Sequence, residues 1–159
     1  MKVTKLMKSN VEVCGPSDSL AAIAERMRDQ DIGCLPVLDT GGHVIGMITD
    51  RDTCMAALTC GQRLSDIPVS IAMSKEVLCC GPEATLVEAQ EIMRWGRVRR
   101  VPVIDHAGCL VGLVSISDFA RLVKREIGLR NRDLRALGVT ATLAAICEPR
   151  PVEGQPTTA

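Results

Sequence analysis

Two short stretches of this 159-residue chain place a hydroxyl and a carboxylate three positions apart, directly after an apolar run. In the first stretch Thr49 precedes Asp52, and in the second Ser115 precedes Asp118. A hydroxyl at the end of a strand, together with the free N–H groups and positive dipole end of the following helix, can bind a phosphate. A carboxylate at the start of that helix can accept two hydrogen bonds from a vicinal diol, such as that of a ribose.

The same residues also have a purely structural interpretation. An aspartate at the start of a helix is frequently just its N-cap, which contributes about 1 kcal/mol to stability. For either aspartate taken alone, the capping and binding interpretations are both left open. The hydroxyl three positions earlier favours binding for Thr49 and Asp52, whereas Ser115 and Asp118 stay evenly balanced.

The two stretches belong to a tandem repeat. When residues 7–58 are placed on residues 73–124 with a constant offset of 66 and no gap, fifteen positions are identical. Shared turn geometry predicts that both halves have the same fold. The shared turn residues are Gly15 and Gly81, Pro36 and Pro102, Asp39 and Asp105, Gly42 and Gly108, and Gly46 and Gly112.

The first elements of the repeat follow from its hydrophobic pattern. Residues 3–8 are predicted to form a short helical lead-in, and the alternation at 11–13 predicts a brief strand. Apolar residues at the i, i+3, i+4, i+7 positions of 20–27 predict an amphipathic helix. Ser19 is its expected N-cap, and Gly33 is expected to end it.

A hairpin and a second helix are predicted to complete the repeat. Two apolar runs at 35–38 and 44–48 are joined by Asp-Thr-Gly-Gly at 39–42, which is typical of a hairpin turn. A helix is then expected at about 51–59. The residues that it offers to a core are Met55, Ala56 and Leu58.

The second repeat adds a local helix signal, because Thr85 followed by Glu88 is a capping box. Its last helix is predicted to continue to about Ile127. The chain is thus expected to divide into repeat 1 at 3–60, a connector at 61–72 in which Pro68 limits any helix, repeat 2 at 73–127, a helical extension at 128–148, and a disordered tail at 149–159 rich in Pro, Gly and Thr.

Composition argues against several classes of function. Nineteen basic and nineteen acidic side chains cancel, so no overall field draws the chain towards nucleic acid or a membrane surface. Trp95 and Phe119 are the only aromatic residues, which leaves few platforms for stacked bases. No apolar run approaches the ~20 residues of a membrane span, and no secretory apolar region follows the N-terminus, so a cytoplasmic location is expected.

The eight cysteines lie mainly among apolar, strand-like residues. We expect them to be reduced and to act as small hydrophobic side chains, with Cys14 and Cys80 at equivalent positions. The alternative is a disulfide that fastens the C-terminal segment through Cys147. No metal site is predicted, because the chain has no Cys-x-x-Cys pattern and its histidines, His43 and His106, lie in turns.

The repeated unit is a β-α-β-β-α arrangement of about 60 residues. Its last strand ends in Gly, two apolar residues and Ser or Thr, with Asp three positions after the hydroxyl residue. This unit resembles the cystathionine β-synthase (CBS) domain. Both copies also share Pro-Val-[Leu/Ile]-Asp, at 36–39 and 102–105. Two such units form a CBS pair, or Bateman module. The resemblance covers about residues 3–127 and implies an α+β fold, with two small sheets packed against helices and the repeats related by a pseudo-twofold axis.

The resemblance also implies a type of ligand and the residues that hold it. CBS pairs bind adenosine-containing regulatory ligands, such as AMP, ADP, ATP or S-adenosylmethionine, in clefts between the repeats, with no obligatory cofactor. Thr49, Asp52, Ser115 and Asp118 would hold ribose and phosphate. The adenine slot would be drawn from the first strand and the start of the second, which are here Val11, Val13, Gly33 and Cys34 in repeat 1 and Val77, Cys79, Arg99 and Arg100 in repeat 2.

The two implied slots are unequal. Residues before the repeated proline are Gly33 and Cys34 in repeat 1 but Arg99 and Arg100 in repeat 2. In this family, basic residues there tend to reach the phosphates of the ligand whose ribose is held by the other repeat. The sharper hypothesis is therefore that Thr49 and Asp52, completed by the two arginines, form the better site. Arg51 would serve the opposite cleft.

These inferences predict a stand-alone regulatory protein, not an enzyme, that senses an adenosine-containing ligand, forms a homodimer and acts on an unidentified protein target. A ligand-free dimerisation or interaction module is the alternative, since Ile116 and Ser117 are less polar than their equivalents Asp50 and Arg51. Polynucleotide binding through the arginines at 94–100 and 130–135 is disfavoured by the balanced charge. No nucleophile–base pair or carboxylate pair at a repeated spacing indicates catalysis.

Overall fold

A computed structural model describes residues 1–126 together with residues 142, 143 and 146. It is a mixed α+β structure in which two similar halves follow one another along the chain. In chain order the elements are a 3-10 helix (Val3–Lys5), α1 (Leu20–Asp29), β1 (Cys34–Leu38), β2 (Val44–Thr49), α2 (Asp50–Cys60), a 3-10 helix (Leu64–Asp66), α3 (Val69–Ala72), α4 (Leu86–Gly96), β3 (Arg100–Ile104), β4 (Leu110–Ser115) and α5 (Ile116–Glu126).

Each half contains one antiparallel hairpin, as the turn residues predict. In β1–β2, Cys34 lies opposite Thr49, and in β3–β4, Arg100 lies opposite Ser115. The turns are closed by Gly42 at φ 84° and by its equivalent in the second repeat at φ 85°, a left-handed conformation that favours glycine. The register places the residues before the repeated proline beside the hydroxyl that ends the second strand of the hairpin.

The brief strand predicted at 11–13 is not formed. Only Cys14 runs beside β1, through a single parallel bridge to Val37. The Cys14 N–H donates to the Pro36 carbonyl at 3.0 Å, and the Leu38 N–H donates to the Cys14 carbonyl at 2.9 Å. Gly15 and Pro16 follow at once and turn the chain away, which limits the pairing to one residue. The second repeat has the same single bridge, between Cys80 and Val103.

Helix α1 begins where the sequence predicts and ends earlier. The Ser19 hydroxyl accepts a hydrogen bond from the Ala22 N–H at 3.2 Å, which confirms the N-cap. The helix stops at Asp29, and the chain reverses at Asp31, which has φ 50°. Gly33 therefore does not end the helix. A carboxylate residue tolerates this left-handed conformation better than most side chains do, so no glycine is needed there.

Two separate hydrophobic cores lie beneath the two hairpins. The first contains Leu20, Ile23, Met27, Leu35, Val37, Ile48, Ala56, Ile67 and Val69, and the second contains Val3, Leu86, Met93, Val101, Val103, Val114, Ile116, Phe119 and Leu122. Helix α2 turns Thr53 and Ala56 inwards, so the expectation for Ala56 is confirmed. Met55 and Leu58 are 47% and 76% exposed, so their predicted place in the core is wrong, because they lie on the opposite face of the helix.

The lead-in segments are exchanged between the repeats. Val3 is buried in the core of the second repeat, and Lys8 forms an antiparallel bridge with Leu113 of β4. At the equivalent place in the first repeat, Ser74 forms an antiparallel bridge with Met47 of β2. Each hairpin is thus bordered by the segment that leads into the other repeat.

The equivalent hairpin turns meet each other, as the predicted pseudo-twofold relation requires. His43 forms an antiparallel bridge with Cys109, its own equivalent at an offset of 66 residues. The Val44 N–H donates to the Gly108 carbonyl at 3.4 Å, and the Leu110 N–H donates to the Gly42 carbonyl at 3.2 Å. A residue can pair with its own equivalent only near the axis that relates the repeats.

Several expectations fall outside the residues that the structure describes. They are the end of the last helix at Ile127, most of the extension at 128–148, Cys147 and the tail. Of the extension only residues 142, 143 and 146 are described, and Thr142 and Ile146 are buried. Among the described cysteines none forms a disulfide, and Cys14, Cys34 and Cys80 are buried. No helix of the described residues has the length and apolar character that crossing a membrane requires.

Candidate functional site

Thr49 and Asp52 cap each other at the junction of β2 and α2. The Thr49 hydroxyl donates to Asp52 Oδ2 at 2.7 Å, the Thr49 N–H donates to the same oxygen at 3.0 Å, and the Asp52 N–H donates to Thr49 Oγ1 at 3.2 Å. This is a complete capping box in which Thr49 is the N-cap and Asp52 is the third helical residue, so Asp52 caps the helix as a partner of Thr49 and is not the N-cap itself. Asp52 Oδ1 has no hydrogen-bond partner among the described residues, so one carboxylate oxygen remains open to a ligand.

The first turn of α2 has no free N–H with which to bind an anion. The Asp50 N–H donates to the Gly33 carbonyl at 3.3 Å, and the Arg51 N–H donates to Asp50 Oδ1 at 2.7 Å. The Asp52 N–H is used by Thr49. The helix dipole still favours a negative charge here, but hydrogen bonds to a phosphate would have to come from other groups.

The equivalent corner of the second repeat is closed. The Ser115 hydroxyl donates to Asp118 Oδ2 at 2.5 Å, and the Ser115 N–H donates to the same oxygen at 2.8 Å. The other oxygen, Asp118 Oδ1, forms an ion pair with the guanidinium of Arg121. Both oxygens of Asp118 therefore have partners within the protein, and the residue is only 5% exposed.

A large open cleft lies between the repeats, next to the first corner. Its volume is about 1460 Å³. Eight of the predicted site residues line it, namely Gly33, Cys34, Thr49, Arg51, Asp52, Val77, Arg99 and Arg100. Arg51, expected at the opposite cleft, therefore lies in the same cleft as Asp52. Five predicted residues do not line it, namely Val11, Val13, Cys79, Ser115 and Asp118.

The absence of a side chain at Gly33 lets groups of both repeats approach each other. A Cβ atom at Gly33 would lie 3.1 Å from Asp50 Oδ2 and 3.8 Å from Arg100 Nη2. The guanidinium of the second repeat thus reaches over the start of β1 in the first.

Burial raises the pKa of the neighbouring Cys34 thiol, while the positive charge of Arg100 acts in the opposite direction. Cys34 is therefore a protonated, unreactive wall of the cleft at neutral pH.

The sequence did not indicate several other residues of the cleft. Lys75 and Glu76 belong to the segment at 74–78, which the bridge between Met47 and Ser74 holds beside β2. The Met47 N–H donates to the Ser74 carbonyl at 3.0 Å, and the reverse hydrogen bond is 2.9 Å. Trp95 also lines the cleft and is 81% exposed. The single tryptophan of a chain with one other aromatic residue is the signal that the sequence offered for this part of the site.

The chain belongs to the CBS-domain family, whose model matches residues 3–58 and again residues 64–125. Hypoxic response protein 1 of Mycobacterium tuberculosis is 33% identical over 116 residues, which are 73% of this chain and 80% of that protein. A crystal structure of Hypoxic Response Protein I with two coordinated zinc ions is 31% identical, covers 76% of this chain and 98% of its own, and has a TM-score of 0.70. In the described part of the present chain, no group of three or more His, Cys, Asp or Glu residues is arranged to hold a metal ion.

Two further solved CBS-domain proteins contain adenosine-based ligands. The CBS pair of protein MJ0100, in complex with 5′-methylthioadenosine and S-adenosyl-L-methionine, has a TM-score of 0.72 at 21% identity over 79% of this chain and 98% of its own. CBSX2 in complex with AMP has a TM-score of 0.67 at 23% identity over 78% of this chain and 96% of its own. At these identities the similarity establishes a shared fold.

Proposed function

We propose that this CBS pair is a regulatory module that binds an adenosine-containing ligand in the cleft beside Thr49 and Asp52. The observation that carries the proposal is the convergence of three groups in one cleft. They belong to Asp52, Arg99 and Arg100, which all line the cleft. The first group belongs to repeat 1 and the other two belong to repeat 2, so a ligand there would contact both halves.

Each group has a distinct role in this proposal. Asp52 accepts hydrogen bonds from the ribose diol through Oδ1, while Oδ2 remains in the capping box. Thr49 positions the carboxylate, since its hydroxyl is used for capping. Arg99 and Arg100 bind the phosphate, because the first-turn N–H groups of α2 are already engaged. Adenine lies against the apolar wall that Cys34 and Val77 provide.

The ligand is drawn from AMP, ADP, ATP and S-adenosylmethionine. The complexes of CBSX2 and MJ0100 support this range, since they hold AMP and S-adenosyl-L-methionine on the same fold. We propose one ligand per chain. Ser115 and Asp118 form only a structural cap, because Arg121 already neutralises the second carboxylate.

The module is proposed to act as a homodimer that transmits ligand binding to a protein target, rather than as an enzyme. Exposed apolar side chains on α2 and α3 support self-association, since Leu58 and Ile71 are 76% and 63% exposed. Replacement of Leu58 by lysine is then expected to convert the dimer to a monomer in light scattering after gel filtration. A cytoplasmic location is part of the same proposal.

The test of ligand binding uses two equivalent caps, only one of which faces the cleft. Native mass spectrometry and thermal-shift titration with AMP, ATP and S-adenosylmethionine are applied to the wild type, Asp52→Asn and Asp118→Asn. A ligand at a hundredfold its dissociation constant adds about 2.7 kcal/mol to the wild type. Asp52→Asn should abolish that gain and Asp118→Asn should keep it. Equal loss in both variants would refute the placement, and no gain with any ligand would leave a ligand-free interaction module.

A further inference from the structure

The wall of the cleft includes a residue from beyond the two repeats. Ile146 lines the cleft, whereas the second match to the CBS-domain model ends at residue 125. The same side chain is 9% exposed and belongs to the hydrophobic core of the second repeat. Ile146 therefore borders both the interior of the second repeat and the space in which the ligand is proposed to lie.

Ile146 adds to an apolar surface that the second repeat provides. This repeat also contributes Val77, Leu78 and Val98 to the cleft. A Cβ atom at Gly96 would meet the side chains of Leu78 and Val98, so these two groups lie close together. Val98 in turn packs against the core cluster that contains Ile146. The apolar surface thus extends from Val77, against which adenine is proposed to lie, towards Ile146.

The described residues near Ile146 are buried on one face. Thr142 is 0% exposed and Ile146 is 9% exposed, and their separation of four positions places them on the same side of a helix. Leu143, which lies on a different side, is 39% exposed. We call Thr142, Leu143 and Ile146 the C-terminal contact. It is attached to the rest of the protein through Thr142 and Ile146.

The burial of the C-terminal contact combines two opposing contributions. Removal of the Ile146 side chain from water is favourable. The Thr142 hydroxyl is also removed from water, but its Oγ1 has no hydrogen-bond partner among the described residues, which is unfavourable. The two contributions are similar in size, so we expect the docked and undocked states to be close in free energy. A ligand that interacts with only one of these states can then shift the balance.

The cleft has room for a ligand while the C-terminal contact is docked. Its volume is about 1460 Å³ with Ile146 in place, and sites for small ligands typically measure about 300–1,000 Å³. Ile146 therefore forms a wall of the cleft and does not fill the place of the ligand. Because a ligand can touch Ile146 only in the docked state, its binding should favour docking.

We infer that Ile146 completes the base-binding wall of the cleft, and that a bound ligand fastens the C-terminal contact to the second repeat. The inference rests on the proposed function, since it requires an adenosine-containing ligand beside Asp52. Docking changes the surface that the chain presents outside the two repeats. The C-terminal contact is thus the place where a protein target can distinguish the ligand-bound chain from the ligand-free chain.

Hydrogen exchange of the full chain tests the docking directly. Mass spectrometry follows the amides of residues 142–146 without ligand and with saturating AMP, ATP or S-adenosylmethionine, whose binding is measured by isothermal titration. A bound ligand is expected to slow this exchange about tenfold, equivalent to about 1.4 kcal/mol. Unchanged exchange under calorimetric saturation would overturn the inference. Faster exchange would also overturn it, because the ligand would then displace the contact.

Two alanine variants assign the effect to one side chain. Ile146→Ala should weaken ligand binding about fivefold, which corresponds to about 1 kcal/mol, and should remove the ligand-induced protection. Leu143→Ala is the matched control, because Leu143 belongs to the same contact but does not line the cleft. It should bind the ligand as the wild type does. Equal or tighter binding in Ile146→Ala would refute the role of Ile146 as a wall.

Thr142→Val tests the coupling without removing any cleft residue. Valine keeps the shape of threonine and eliminates the unpartnered hydroxyl, so the docked state should become more populated. Exchange at 142–146 should then slow in the absence of ligand, and ligand binding should tighten about threefold. Slower exchange with no gain in affinity would show that docking and ligand binding are independent, which contradicts the inference.

The outcomes separate this inference from the function on which it rests. If none of the three ligands binds the wild type, the proposed function fails and the inference fails with it. If a ligand binds and Asp52→Asn abolishes that binding, while Ile146→Ala and Thr142→Val leave it unchanged, the proposed function stands and the role of the C-terminal contact alone is refuted.

Discussion

The guanidinium of Arg121 is paired with the carboxylate of Asp118, whereas the equivalent Asp52 has Met55 in place of that arginine. Both aspartates cap their helices with one oxygen. The second oxygen of Asp118 is occupied by an internal cation, whereas that of Asp52 has no partner among the described residues. Asp52 lines a cleft that also contains cations of the other repeat. The two copies of the motif therefore differ in whether a carboxylate oxygen is left without a partner, because the residue three positions along the helix is Arg121 in one copy and Met55 in the other.

Replacement of Asp118 by alanine is expected to affect stability rather than ligand binding. The Ser115 N–H and hydroxyl lose their acceptor, and Arg121 loses its partner, so the free energy of unfolding should fall by about 2 kcal/mol in urea titration. Affinity for ATP should remain within about twofold, which is less than about 0.5 kcal/mol. Arg121→Met should lower the free energy of unfolding less than Asp118→Ala does, since it retains the cap between Ser115 and Asp118. Loss of ATP binding in Asp118→Ala would contradict the assignment of this corner as purely structural.

Trp95 is expected to report ligand binding directly. It is the only tryptophan of the chain, it lines the cleft, and it is 81% exposed. A bound nucleotide should shield the indole, so acrylamide quenching should decrease and the emission should change with the same midpoint as the calorimetric titration. Asp52→Asn should show no change at these ligand concentrations. An unchanged spectrum in the wild type under calorimetric saturation would show that the ligand lies elsewhere.

Alanine at Gly46 or Gly112 is expected to loosen the exchanged lead-in segments. A Cβ at Gly112 would lie 2.5 Å from Met7 Sδ and 3.0 Å from the Lys8 carbonyl oxygen. At Gly46 the corresponding distances are 2.7 Å to a methionine Sδ and 3.1 Å to the Ser74 carbonyl oxygen. The methionine side chains can move, but the carbonyls belong to the bridges. Each substitution should therefore cost about 1–3 kcal/mol in urea unfolding.

Gly81→Ala is the matched control for these two variants. A Cβ at Gly81 would have no atom within 4 Å, and the residue does not have a positive φ. Its free energy of unfolding should stay unchanged or rise slightly, because alanine restricts the unfolded chain. If Gly112→Ala proves as stable as Gly81→Ala, the close approach of the lead-in to the hairpin is not a constraint.

Stability is expected to fall between about pH 9 and pH 11 through two buried thiols. Burial raises the pKa of Cys14 and of Cys80 from 9.0 to about 11. Above pH 9 these thiols ionise in the unfolded chain but stay protonated in the folded one, so alkaline pH favours unfolding until the folded pKa is passed. The melting temperature should therefore decline over this range. The variant with both cysteines replaced by alanine should show a shallower decline, and an equal slope would contradict the shifts.

Local interactions explain which parts of the structure the sequence could predict. Ser19 and Thr85 cap helices through partners three residues away, and the Gly-containing turns close hairpins between adjacent strands. Such contacts depend on a few neighbouring residues, so their patterns can be recognised without knowledge of the fold. The repeat then predicted two similar halves. The prediction of a strand at 11–13 was wrong because strand formation also needs a partner strand, which local alternation of side chains cannot supply.

The contents of the cleft were decided by contacts across long stretches of the chain. Arg99 and Arg100 were predicted beside Thr49 and Asp52 by the family resemblance, but Lys75 enters only because the lead-in of one repeat borders the hairpin of the other. The sequence by itself determined the repeat, the caps at Ser19 and Thr85, and the residue types of the Thr49–Asp52 corner. Only the tertiary structure decided that this corner is open and that Asp118 is closed. The reason is that electrostatic pairing depends on which side chains the packed helices and exchanged segments bring within a few ångströms.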